Sequence, residues 1–178
     1  MSALKIARTW EVKEQGDKRS IQLYDIDGLP LKGEDSVWEG DFDCSKRQLT
    51  SLNGCPAVVT GSFICYKNKL TSLEGAPKEV GDDFYCYMNN LVSLKGSPQT
   101  IVGAFDCSYN FLKSLEGGPK KVGLSFYCYN NKLTSLIGAP EWVGEIFDCS
   151  FNELTSLKGI PKLVENYCFY HNNKLNSF

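Results

Sequence analysis

Apolar residues recur along most of the chain at a fixed interval of 21 positions. Phe42, Phe63, Phe84, Phe105, Phe126 and Phe147 mark the interval, and two residues after each stands a cysteine, from Cys44 to Cys149. Paired leucines follow in the same phase, from Leu49 and Leu52 to Leu154 and Leu157. A β-branched residue (Val59, Val80, Ile101, Val122, Val143 or Val164) closes the apolar set. An asparagine (Asn68, Asn89, Asn110, Asn131, Asn152) stands five residues after the phenylalanine, with Arg47 in its place in the first copy. A Gly-x-Pro step, from Gly54 and Pro56 to Gly159 and Pro161, punctuates each unit. A partial seventh unit runs from Cys168, in the phenylalanine position, through Tyr170, Asn173 and Leu175 to Phe178.

A unit this short cannot bury its own apolar side chains, so successive units must stack into a solenoid. The alternation in Phe-x-Cys predicts a short strand with Phe and Cys inward. The asparagine after it turns the chain, and its amide is placed to satisfy buried backbone groups of neighbouring coils. Glycine and proline argue against a regular helix in the return segment, because proline lacks an N–H and fixes its own φ. The back of the coil is therefore expected to be turns, extended chain or single short helical turns.

The repeat resembles the leucine-rich repeat, Leu-x-x-Leu-x-Leu-x-x-Asn-x-Leu, with Phe and Cys at two leucine positions, over residues 42–178. Its Leu-Thr-Ser-Leu-x-Gly-x-Pro-x-x-Val stretch is similar to the Leu-Thr-Ser-Leu-Pro-x-x-Pro segment of secreted effectors of enteric bacteria. It departs from them in unit length, in the cysteine and in the glycine. The fuller Phe-x-Cys-x-x-Asn-x-Leu-Thr-Ser-Leu-x-Gly-x-Pro form is similar to repeats of tailed-bacteriophage and bacterial proteins. The resemblance implies a β-rich, right-handed leucine-rich-repeat coil, with a parallel strand sheet on the concave face and an irregular, non-helical or short 3-10, convex side. It implies binding as the activity.

Residues 1–41 lack the full motif. Thr9 to Glu14 and Ser20 to Asp25 alternate apolar and polar residues around Gly16-Asp17-Lys18, which predicts a β-hairpin. Ile21 and Leu23 fall in phase with Phe42 and Cys44, and Trp38 with Val59, so this segment is expected to form a cap with a degenerate first coil. Residues 42–178 then form the solenoid, six full repeats and the partial seventh. No cap sequence follows Leu175, and the exposed last coil is expected to pair with a second copy end to end.

A composition of 42% hydrophobic and 22% charged residues excludes a disordered or collagenous chain. No apolar run reaches the roughly 18 residues of a membrane span, and the first ten residues lack a signal-peptide core, so a soluble, unprocessed chain is expected. A formal charge of -2 gives no electrostatic ground for a nucleic-acid or anionic-membrane partner.

Eight cysteines beside one histidine raise the question of metal or redox chemistry. Six of the eight are one repeat position pointing into an apolar ladder, where cysteine acts as a small hydrophobe. No Cys-x-x-Cys pair exists. Zinc, a catalytic thiol and any other cofactor are accordingly not expected. Buried reduced thiols point to the cytoplasm, that of the host if the chain is phage-encoded. His171 has no evident nucleophile to serve. Asp43, Asp106 and Asp148 fall three and two coils apart, about 14 and 10 Å at strand spacing, too far to share a proton.

The residues flanking each ladder cysteine point outward. Asp43/Ser45, Asp106/Ser108 and Asp148/Ser150 are small and acidic; Ile64/Tyr66, Tyr85/Tyr87 and Tyr127/Tyr129 are large and mostly aromatic. Met88, Tyr109, Phe151, Tyr167 and Phe169 extend the surface. Tyrosine offers wide contact at low entropic cost and is enriched at interface hot spots. The candidate partner-binding residues are Tyr66, Tyr85, Tyr87, Asp106, Tyr109, Tyr127, Tyr129, Asp148 and Phe151. Stacked tyrosines also stabilise strands directly, which is the structural alternative. The expected function is a non-enzymatic protein-binding module, a small phage or bacterial inhibitor or adaptor acting on a host or partner protein. A secreted effector or surface adhesin is the alternative.

Overall fold

The computed structural model describes residues 4–176. Each Phe-x-Cys step begins as an extended strand, and the phenylalanines lie side by side in parallel register, Phe42 against Phe63 and onward until Phe147 meets Cys168. The product is a seven-stranded parallel sheet from Phe42–Asp43 to Tyr167–Phe169, called the Phe face below. The strands stop early because the second residue after the cysteine takes a left-handed backbone, with φ between 51° and 56° from Lys46 to Phe151. Phe178 lies outside the described residues.

The opposite side of the coil is not irregular. Lys5–Ala7, Ser36–Trp38, Val58–Val59 and Glu79–Val80 form one four-stranded parallel group. Thr100–Ile101, Lys121–Val122, Trp142–Val143 and Leu163–Val164 form another. The expected leucine-rich-repeat architecture, one concave sheet backed by irregular chain, is therefore corrected to a multi-sheet right-handed β-solenoid with strands on both sides. Proline explains the error. It removes the donor at its own position only, and the β-branched residue three positions later is free to pair. With paired strands setting the coil spacing on both sides, the ground for expecting a concave face disappears.

The core lies between the two strand-bearing sides. The six phenylalanine rings form a continuous column, with neighbouring centroids 5.1 to 5.9 Å apart. Cys44 through Cys149 at the repeat position, with Leu49 through Leu154, are fully buried around it, and Val59, Val80, Ile101, Val122 and Val143 close it from the other side. Glycine marks the tightest approach between coils. A Cβ on Gly123 would stand 1.9 Å from the carbonyl oxygen of Val102, and one on Gly144 would stand 1.9 Å from that of Gly123.

The asparagines hold the turns. Asn110 Nδ2 donates to the carbonyls of Cys86 and Cys107 at 3.2 and 3.1 Å, one from each of two adjacent coils, and Asn68, Asn89, Asn131 and Asn152 repeat the arrangement. Backbone groups buried by a turn inside the stack would otherwise lack partners.

At the N-terminal end, Thr9–Gln15 and Lys18–Tyr24 form an antiparallel hairpin joined by Pro30–Leu31. Ile21 and Leu23 are buried, and the Trp10 ring lies 5.4 Å from that of Phe42. Lys18–Tyr24 pairs within this hairpin sheet, while the Phe face begins at Phe42–Asp43. Trp38 stands directly beside Val59 within the first four-stranded parallel group, as their shared phase requires.

Candidate functional site

Strand pairing places the outward residues of the Phe face in rows. One row reads Asp43, Ile64, Tyr85, Asp106, Tyr127, Asp148 and Phe169, each beside the next. Two residues along the chain, Tyr66, Tyr87 and Tyr129 are all half-buried. The left-handed residues form a further row, in which Met88, Tyr109 and Phe151 are exposed.

The aromatic rings gather into two clusters. Tyr66 and Tyr87 stack with centroids 4.6 Å apart, and Tyr85 meets Tyr87 edge-on at 6.5 Å. Tyr129 meets Tyr109 at 5.3 Å and Tyr127 at 6.3 Å, both edge-on. The coil carrying Asp106 and Ser108 separates Tyr85/Tyr87 from Tyr127/Tyr129. Phe151 meets His171 edge-on at 5.2 Å, farther toward the last coil.

Tyr66, Tyr85, Tyr87, Asp106, Tyr109 and Tyr129 line one groove of about 470 Å³, together with Asp43, Ile64 and Met88. Six of the sequence-predicted residues are thus brought together. Tyr127, Asp148 and Phe151 are not among its lining residues. Phe151 lines a neighbouring hollow of about 350 Å³ with Tyr109 and Phe111. Sequence reasoning passed over Phe111, which is half exposed; the available signal was one aromatic in a column otherwise occupied by Gln48, Lys69, Asn90, Lys132, Glu153 and Lys174.

The aspartates also have work within the coil. Asp106 Oδ1 accepts from the Ser108 backbone N–H at 2.9 Å and from its hydroxyl at 2.6 Å; Asp148 does the same with Ser150 at 2.9 and 2.5 Å. Asp43 accepts from the Ser45 N–H at 2.9 Å. These are Asx turns, which fix where the strand ends. Burial holds the Asp106 carboxyl above the ordinary aspartate range, against the opposing pull of its Ser108 hydrogen bonds.

The tyrosine hydroxyls differ in setting. Tyr85 donates to Asp83 Oδ2 at 2.6 Å, and burial followed by that bond holds its phenol well above the usual range. Burial also raises Tyr87 and Tyr129. Tyr66 moves the other way, through hydrogen bonds from Ser45 and Lys46. Tyr85, Tyr87 and Tyr129, raised above the ordinary phenol range, are neutral at physiological pH and serve as contact surface and hydrogen-bonding groups.

The thiols sit apart from this surface. All eight are free and seven are buried. Burial pushes Cys65, Cys86, Cys107 and Cys128 well above the usual thiol value and Cys149 up to about 12. Cys86, Cys107 and Cys128 donate to carbonyls of the next coil at 3.3 to 3.4 Å. A protonated, enclosed thiol is a poor nucleophile. Among the described residues, no three His, Cys, Asp or Glu side chains are grouped so as to hold a metal ion, and no helix is long and apolar enough to cross a membrane. The chain matches no family model, no curated protein and no solved structure.

Proposed function

We propose that this solenoid is a non-enzymatic docking module that captures a partner protein on the outer surface of the Phe face. The observation that carries the reading is the row of left-handed residues. Met88, Tyr109 and Phe151 are 42%, 47% and 47% exposed, and each holds a φ of 52° or 53°. A bulky side chain in that conformation is strained by about 1 kcal/mol or more, and exposure returns little of it. Asparagine or glycine would suit the turn better, as Asn130 and Asn172 do in the same row. Large side chains kept there at a cost to stability are best explained by contact with something outside the chain.

Capture from a lysate of the native host, compared between the wild type and a Tyr87→Ser/Tyr129→Ser variant, tests the proposal. A partner identified by mass spectrometry should be lost from the variant while circular dichroism shows the fold retained. Equal capture by both proteins would refute the assignment of the face.

Three further elements belong to this proposal. The resemblance to phage and bacterial repeats supports an inhibitor or adaptor acting in a cytoplasm, and the eight free thiols accord with that setting. The contact of Trp10 with Phe42, and of Arg47 with the Trp10 ring at 5.5 Å, supports residues 1–41 as a cap on the solenoid. The exposed Leu163, Tyr167 and Phe169 on the last strands support end-to-end pairing with a second copy. A monomeric mass by light scattering at tens of micromolar would exclude that pairing.

A further inference from the structure

We propose that the groove on the Phe face is a receptor for a cationic side chain, arginine or lysine, presented by a protein partner. This rests on the docking reading above and adds the chemistry of what docks. Asp106 lies in register between Tyr85 and Tyr127, so a carboxylate is set between two aromatic clusters. A guanidinium or ammonium uses both elements: a ring face attracts it within about 6 Å of the centroid, and a carboxylate accepts its charge-assisted hydrogen bonds.

Charge complementarity selects a cation over other occupants. Asp43 and Asp106 both line the groove, and none of its lining residues is basic. Both Ser108 bonds to Asp106 fall on Oδ1, and a carboxylate has a second oxygen with which to accept. Burial raises the Asp106 pKa and the like charge of Asp148 adds to it, the direction expected of an acid without a counter-charge. The protein makes the same kind of contact beside the groove: Lys46 Nζ stands 5.4 Å from the ring centroid of Tyr66, a groove residue. A neutral planar or sugar-like ligand would use the rings and leave the carboxylates uncompensated.

The test uses the full chain with 13C-labelled tyrosine rings, titrated with acetyl-Gly-Arg-Gly-amide, its lysine counterpart and its citrulline counterpart. Citrulline keeps the length and planar shape of arginine, carries a carbonyl oxygen in place of one NH2 group, and loses the charge. The expected result is that the ring signals of Tyr87, Tyr109 and Tyr129 shift with the arginine and lysine peptides, and that citrulline binds at least about tenfold more weakly. Asp106→Asn should abolish the preference for arginine over citrulline, with the fold of the variant checked by circular dichroism. Equal response to arginine and citrulline, no ring response up to about 10 mM peptide, or a preference unchanged in Asp106→Asn would each overturn the cation assignment. None of these results bears on capture of a partner by the face, which fails only if Tyr87→Ser/Tyr129→Ser captures as the wild type does.

Discussion

Asn110 Oδ1 accepts the backbone N–H of Leu91 at 2.9 Å, although the two residues stand 19 positions apart. The other end of the same amide donates to the Cys86 and Cys107 carbonyls, so one side chain satisfies groups on two coils at once. Asn110→Ala strands these groups in the interior, each at a cost of about 1–3 kcal/mol where no water replaces the bond. Urea unfolding should show a loss of roughly 3 kcal/mol. Asn110→Asp should be worse, because it replaces the donor with a charged oxygen facing carbonyls. A loss under about 0.5 kcal/mol in Asn110→Ala would mean that water substitutes for the amide.

The phenylalanine column and the left-handed row should respond in opposite directions. Phe105 is stacked between Phe84 and Phe126 at 5.2 and 5.4 Å, and Phe105→Ala should cost about 3–5 kcal/mol through the cavity left behind. Met88→Gly should instead be neutral or stabilise by up to about 1 kcal/mol, since glycine relieves the left-handed backbone of an exposed residue. Chemical denaturation of the two variants beside the wild type checks both signs. A Met88→Gly protein that is clearly destabilised would show that this side chain contributes to the fold.

Asp106 makes stability depend on pH in an unusual sense. Its folded pKa is raised, so between the ordinary value of about 3.9 and the folded value the native state holds more protons than the unfolded chain. That contribution falls as pH rises through this window and stays unfavourable above it. Asp106→Asn keeps an Oδ1 to accept both Ser108 bonds and carries no charge. The variant should therefore have a higher urea midpoint than the wild type at pH 7, and the gap should close as pH falls below 4. A gap that widens in acid would reverse the sign assigned here.

Thiol titration should separate Cys168 from the rest. Cys168 is half-buried while the other seven are buried, and burial raises the pKa of Cys65, Cys86, Cys107, Cys128 and Cys149. With an aromatic disulfide reagent at pH 8, the native protein should react slowly at Cys168 alone, and all eight should react in denaturant. Cys168→Ser should abolish the native reaction. Fast labelling of a ladder cysteine would show that the coils open on the timescale of the assay.

The repeat makes the Phe face readable from the sequence, because Phe-x-Cys alternation and Asn68 through Asn152 each state a local rule that stacking multiplies. The strands ending in Val59 to Val164 were harder to read. They are only two residues long, and the nearby glycine and proline mask a pairing that exists only between coils. The tyrosine and aspartate positions were legible as a surface, whereas their division of labour was not. That Asp106 closes a turn on Ser108 and that Tyr85 is tied to Asp83 depends on side-chain geometry that alternation leaves open. The left-handed backbone of Met88, Tyr109 and Phe151 was hidden for a related reason, since residue types poorly suited to it occupy the position.

The fixed register of 21 residues per coil also has a mechanical consequence. Ladder hydrogen bonds between coils lie along the solenoid axis, so tension applied at the two ends of the chain loads them one coil at a time, as in a zipper. Each coil that yields releases the same contour length, roughly 65–70 Å after subtracting the strand spacing it occupied. A stretched molecule would thus lengthen in equal steps at low force. The hairpin of Thr9–Gln15 and Lys18–Tyr24 runs antiparallel, outside this ladder, and stands as a separate mechanical element at one end.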